Sequence, residues 1–368
     1  MAGLFSGCGG LEYGFVEAGF KSVWANEFNP SAAASFETLL NAECIVDDFW
    51  NIEKVIPKTD IVIGGPPCQS FSLVGKRSQD DERGKLVFGF MEAIRATRPR
   101  AFVMENVAGL AASSIGNQRL PDYLAEEFRK MGYEVIVEKL DASNYLVPQK
   151  RKRIFVIGVM NPKKPLKVID PIDFREFINQ KYSLNFDSNL VSVFEALNDL
   201  PSPELDRNSN FGVTYKLPAI SNYSQLMRRG MQEFVTLQDM PTMSALDREF
   251  VKFIPPGGNY VDIPEHLDTV RIKKFKKSGG RTTTYGRLHP DEPSYTINTY
   301  FNRPNVGANY HYRDLRLITV REALRLQSFP DFFVPKFKNQ RELHQQIGNA
   351  VPPLLAMAVA LSIRTVLG

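Results

Sequence analysis

At 368 residues the chain is long enough for one large domain or two unequal ones. Its 45 basic and 41 acidic residues leave a net charge of only +4, which excludes a tail that grips polyanions by bulk charge, while 43% hydrophobic residues support a full core. The 3 cysteines and 4 scattered histidines exclude a disulfide framework and give no Cys/His metal spacing, and with no apolar run of about 18 residues and no charged leader the expectation is a soluble intracellular protein in a reducing compartment.

Along the first 160 residues short apolar runs alternate with amphipathic stretches. The runs predict strands over 2–5, 23–27, 60–63, 101–105, 133–140 and 153–160, rich in Val, Ile and Phe and closed by Gly, Asn, Asp or Glu. Helices are expected between them: one opened by Asn29-Pro30, an N-cap followed by proline at the first helical position, and others over 86–96 and 121–131. This α/β alternation predicts a doubly wound, mostly parallel sheet with ligands at the carboxyl ends of its strands. From about 165 to 300 the pattern gives way to polar segments with scattered aromatics and proline turns, read as a second, smaller irregular domain. It carries Arg271, Lys273, Lys274, Lys276, Lys277 and Arg281, a dense basic cluster in a nearly neutral chain, followed by Thr282-Thr283-Thr284-Tyr285. Helix returns over 320–327 and 353–366, the latter apolar enough to lie against the first domain. The division expected is 1–165 with 335–368 as one domain and 166–334 as the other.

Four segments carry chemistry. Leu4-Phe5-Ser6-Gly7-Cys8-Gly9-Gly10 places spaced glycines where the first strand turns into a helix, and Glu27 ends the second strand at the separation from which a nucleoside-binding fold takes ribose hydroxyls. Without a Gly-Lys-Ser/Thr run to hold phosphates, a nucleoside lacking them fits better. Pro66-Pro67-Cys68-Gln69 holds a thiol just past a strand end, where a lone cysteine in a core would be a buried hydrophobe. Met104-Glu105-Asn106-Val107 puts a carboxyl at the neighbouring strand end, and Gln149, Arg151 and Arg153 alternate along the start of a later strand; capping and solvated charge are the plainer readings of these two.

In this order the segments resemble those of the C5-cytosine DNA methyltransferases. Arg316-Leu317-x-Thr319-x-Arg321-Glu322-Ala323-x-Arg325-Leu326-Gln327-x-Phe329-Pro330 and Gln346-Ile347-Gly348-Asn349-Ala350-Val351-Pro352-Pro353 resemble the family's closing motifs, and Thr296-Ile297 the pair that ends its recognition domain. The resemblance runs over 3–360. It departs at Gly3, where the family usually has Asp, and at Asp47, where Gly often precedes the aspartate matched by Asp48. It implies a Rossmann-like, class I S-adenosylmethionine-dependent methyltransferase with a target-recognition domain, acting on double-stranded DNA without a metal. By the same resemblance Cys68 adds to carbon 6 of the cytosine, Glu105 holds a proton at ring nitrogen 3, and Arg151 binds the base carbonyl, with Gln149 and Arg153 completing the basic motif. Phe5, Gly7, Cys8, Gly9, Gly10, Leu11, Glu27, Asp48, Pro67, Leu86, Asn349 and Val351 are implied for the cofactor. Ser72, Arg83, Thr296 and Ile297 are expected at the DNA, Arg281 and Arg287 are the first candidates to read bases because arginine is the commonest reader of guanine, and the polar, glycine-bounded segment Gly75 to Gly84 beside Cys68 is expected to be a loop that closes on the DNA.

The implied setting is a cytoplasmic, nucleoid-associated bacterial monomer that flips its target base, beside a separate cognate restriction endonuclease. Two alternatives stand against it. The transfer-RNA branch of the same fold carries a Cys-Phe-Thr segment that is absent here, and a nicotinamide dehydrogenase would leave Cys68, Glu105 and Arg151 without a task.

Overall fold

The computed structural model describes residues 1–67, 82–203, 213–215, 217–230 and 234–367. Its centre is a seven-stranded sheet of β1 (Ala2–Leu4), β2 (Trp24–Glu27), β3 (Ile45–Val46), β4 (Ile61–Gly64), β5 (Ala101–Val107), β6 (Tyr133–Asp141) and β7 (Lys152–Met160), ordered β3-β2-β1-β4-β5-β7-β6. The first five are mutually parallel and β7 runs antiparallel to both neighbours, so the sheet is mostly parallel, as expected. Every sequence-expected strand is present within a residue or two of its bounds; the two-residue β3 was not anticipated.

Strand side chains alternate between two apolar layers because successive residues point to opposite faces. Ile61, Ile63, Ala101, Val103, Phe155 and Ile157 meet the helices Gly10–Glu17 and Pro353–Leu367 on one face. Leu4, Val62, Phe102, Met104, Ile154 and Val156 meet the helices Glu82–Thr97 and Leu120–Lys130 on the other. The last helix is buried as its composition predicts: the stretch Gln340–Leu367 is long and apolar enough to cross a membrane, yet 83% of its apolar window lies inside the fold. It packs closely on the first helix because position 14 lacks a side chain, where a Cβ would lie 2.4 Å from Pro353 O and 2.5 Å from Ala356 Cβ.

A second core is built from Met243, Phe250, Val251, Ile254, Tyr260, Ile263, Ile272, Tyr285, Tyr310 and Leu317. It covers less chain than the 166–334 expected from sequence. Leu166, Phe174, Ile178, Val193, Leu197, Tyr223, Leu226 and Val235 all join the sheet's own core, as do Ala323 and Leu326. The reason is local: helix Pro171–Tyr182 buries Phe174 and Ile178, and helix Val320–Leu326 sends the fully buried Arg325 to Asp199 and Asp331, pinning the 190s to the returning chain.

Candidate active site

The glycine turn sits at the carboxyl end of β1, with the backbone there in unusual conformations. Phe5 has φ 55 and Gly9, the N-cap of helix Gly10–Glu17, φ 86, values that only glycine adopts freely. The Phe5 ring lies half-buried with its centroid 5.1 Å from that of Phe49. A left-handed phenylalanine is an outlier of the kind that collects at ligand sites. Glu27 ends β2 beside it. Its two carboxylate oxygens accept Gly7 N at 2.8 Å and Asn29 N at 2.9 Å, which fixes the group in place while each oxygen keeps a free lone pair for a ligand hydroxyl. Burial raises the Glu27 pKa above the usual carboxylate range, and the backbone donors oppose the rise.

Asp48 caps the short helix Phe49–Ile52, one oxygen taking Trp50 N at 3.0 Å. Asn26 holds this edge by donating to Ile45 O and Asp47 O at 3.1 and 2.9 Å, and the exposed Phe28 lies next to Glu27. Neither residue was singled out from sequence. Val351 is buried, Asn349 is exposed, and Leu86 and Pro67 are half-buried. Cys8 and Leu11 are buried, and burial pushes the Cys8 thiol up to about 12, so that it stays protonated.

The second cluster is assembled by the reversal of β7. A strand parallel to its neighbours would start at the opposite edge, whereas β7 starts at the carboxyl edge and sets Arg153 opposite Val107 in register. Arg153 and Glu105 are then diagonal neighbours on one face. The guanidinium Nε lies 2.9 Å from Glu105 Oε1, with both side chains 10% exposed. Burial raises the Glu105 pKa, and Arg153 and then Arg151 oppose the rise without cancelling it. Burial thus favours the carboxylic acid and the two arginines favour the ion pair. Asn106, the next residue, donates to Pro66 O at 2.8 Å and ties the proline loop to the end of β5. Cys68 and Ser72 lie outside the described residues, as does most of the segment Gly75 to Gly84; Arg83 falls in the first turn of helix Glu82–Thr97.

Four of the expected site residues have buried structural partners instead. Arg151, expected at the base carbonyl, is fully buried, and its guanidinium donates instead to Ile297 O at 2.9 Å and to Gly348 O and Ala350 O at 2.8 Å each. Gln149, also 0% exposed, belongs to the same joint, giving Nε2 to Leu326 O and accepting Ile297 N. Ile297 is thus a buried backbone anchor, while the neighbouring Thr296 is exposed and donates to Lys150 O. Arg287 is unavailable to DNA because all three of its guanidinium nitrogens are held by the carbonyls of His311, Ile254 and Arg313.

Arg281 is exposed, and the basic cluster lies on helix Val270–Ser278, where Ile272 faces the second core and Arg271, Lys273, Lys274 and Lys277 face solvent. Lys276 is withdrawn from that set by an ion pair with Asp268 at 2.9 Å.

A doubly wound sheet with a reversed penultimate strand, a glycine turn facing a held carboxylate, and a buried Glu–Arg pair at the adjoining strand ends define an α/β methyltransferase. The C-5 cytosine-specific DNA methylase family matches residues 1–365. The chain is 31% identical to the type II methyltransferase M.AgeI of Thalassovita gelatinovora, covering 98% of both chains, and 33% identical to M.DdeI of Desulfomicrobium norvegicum, covering 97% of this chain and 86% of that one. The solved Dnmt2 methyltransferase of S. pombe shares the fold, with a TM-score of 0.60 at 16% identity over 99% of this chain and 98% of that one. The chain belongs to the C-5 cytosine-specific DNA methylases and is a DNA (cytosine-5-)-methyltransferase of the restriction–modification type.

Proposed function

We propose that the enzyme turns a cytosine out of duplex DNA, adds Cys68 to carbon 6 and methylates carbon 5 within a short specific sequence. The observation that carries this reading is the buried Glu105–Arg153 pair, joined through Asn106 to the proline loop that leads straight into Cys68. As the thiolate adds to carbon 6, electrons move toward ring nitrogen 3, and Glu105 gives that nitrogen a proton. Arg153, rather than Arg151, is the cation positioned to meet the base carbonyl and to offset the charge. Loss of the carbon 5 proton to a base then expels the thiolate and leaves 5-methylcytosine.

S-adenosylmethionine fits the first cluster, and its sulfonium supplies an electrophilic methyl. Glu27 would hold the ribose hydroxyls, Asp48 the adenine amine through its uncommitted oxygen, Phe5 the adenine face, and the turn at Gly7 to Leu11, with Asn349 and Val351, the methionine end. The unit formed around Met243 to Leu317 is the recognition element in this proposal. A monomer in the cytoplasm, at the nucleoid, beside a separate restriction endonuclease belongs to the same reading.

The test is covalent trapping on duplex DNA that carries 5-fluorocytosine at the target. Fluorine cannot leave carbon 5 as a proton does, so elimination stalls and a complex stable to denaturing electrophoresis is expected from the wild type and none from Cys68→Ala. If the wild type methylates ordinary DNA without forming that complex, the nucleophile is misassigned.

The exposed basic face of helix Val270–Ser278 is expected to bind phosphates without choosing sequence. Neutralising Arg271, Lys273, Lys274 and Lys277 together should weaken binding to all duplexes alike and flatten the plot of log affinity against log salt by about 0.9 per lost contact. An unchanged slope shows that this face only meets solvent.

A further inference from the structure

Beneath the glycine turn lies a carboxyl group that the reaction does not use. Glu12, near the start of helix Gly10–Glu17, is 0% exposed, and neither of its oxygens has a well-formed hydrogen bond. Ser6 Oγ, its polar neighbour in the turn, is also buried without one. Burying an unpartnered carboxylate is costly, and a core position in an apolar helix would ordinarily be filled by a hydrocarbon.

Position 3 explains where Glu12 goes. A Cβ built on Gly3 would lie 2.4 Å from Glu12 Oε1, 2.8 Å from Ser6 Oγ and 3.2 Å from Glu12 Cδ. Gly3 has no left-handed backbone to require glycine, so what the residue provides is room. This is the position at which the sequence departs from the family pattern by lacking an aspartate. The carboxylate of Glu12 therefore occupies the volume that a side chain on Gly3 would enter, reaching it from the helix and not from the strand.

We propose that Glu12 is the acidic group of the cofactor turn in this chain, relocated from position 3 to position 12, and that it is retained because it favours S-adenosylmethionine. The proposal rests on the cofactor site assigned above. The charged and titratable neighbours support it: among the described residues the groups acting on Glu12 are Ser6, its own backbone amide and Glu27, with no cation among them, which favours a cationic ligand. Burial pushes the Glu12 carboxyl up to about 7, and a bound cation draws such a group back to its charged form.

A swap tests the assignment through cofactor affinity, measured by calorimetry on the DNA-free enzyme, and through thermal melting without cofactor. Glu12→Ala should weaken S-adenosylmethionine about tenfold to a hundredfold while leaving the melting midpoint unchanged or raised, since it removes a poorly partnered buried carboxyl. Gly3→Asp alone should weaken binding, because two side chains then compete for one volume. Gly3→Asp combined with Glu12→Ala should return the affinity to within about threefold of wild type, a factor worth only about 0.7 kcal/mol. Wild-type affinity in Glu12→Ala, or a double variant no better than Glu12→Ala, overturns the relocation. A wild type that binds no S-adenosylmethionine overturns the cofactor reading together with it.

Discussion

Glu105→Gln is expected to slow methyl transfer by about 10²–10⁴-fold, the usual contribution of a positioned proton donor, with the fold intact. The amide has the shape of the carboxyl, so packing around the pair is kept. What is lost is the proton. Only the protonated carboxyl can supply ring nitrogen 3, and burial raises the Glu105 pKa despite Arg153 and Arg151. The sign follows: single-turnover rate is greatest below that raised pKa and falls about tenfold per unit as pH climbs past it, a limb that the glutamine variant lacks. Rapid-quench measurement across the pH range in which the enzyme stays folded reads both effects. A variant within threefold of wild type, or one that keeps the falling limb, shows that the proton comes from elsewhere.

The parts of the fold most legible in sequence are those in which local chemistry and global packing agree. Asn29 caps helix Pro30–Leu40 by accepting Ser31 N and Ala32 N, the role its place before proline predicts. The strands of the sheet's centre are apolar on both faces because both are covered, and runs such as Ile61-Val62-Ile63 declare it. Helix Val270–Ser278 was hidden because basic residues fill most of its surface and only Ile272 is fully buried, leaving no apolar period to read. Helix Pro171–Tyr182 carries its own signal in Asp170, which caps it just before Pro171. The domain boundary could not be read at all, since apolar residues such as Phe174 and Leu226 do not state which core they will join.

The same limit governed the site. Spaced motifs located Glu27, Glu105 and the Gln149-x-Arg151-x-Arg153 run, but alternation along a strand cannot tell which arginine faces the carboxyl. That depends on the reversal of β7 and on the chain that covers its first residues. Glu12 was missed because an acidic residue between Leu11 and Tyr13 reads as a solvated helix position, and only the empty volume at Gly3 reveals it.

The two arginines should therefore separate by experiment. Arg151→Met leaves the carbonyls of Ile297, Gly348 and Ala350 without their donor in a fully buried joint. Losing the partner of several buried acceptors costs about 3–5 kcal/mol, equivalent to a fall in melting midpoint of roughly 4–6 °C for a chain of this size. Because the joint fastens the chain around Asn349 and Val351, the KM for S-adenosylmethionine should rise as well. Lysine should rescue little, since one compact ammonium cannot serve carbonyls spread across two segments in place of a planar fork. Arg153→Met should behave in the opposite way. Among the described residues its Nη1 meets only Lys152 O, so the melting midpoint should move little, whereas Glu105 loses its nearer cation, its pKa climbs further, and the rate of methyl transfer falls at unchanged cofactor affinity. If Arg151→Met melts like the wild type and loses the chemical step, while Arg153→Met unfolds early, the guanidinium that serves the base is the buried one and the roles assigned here must be exchanged.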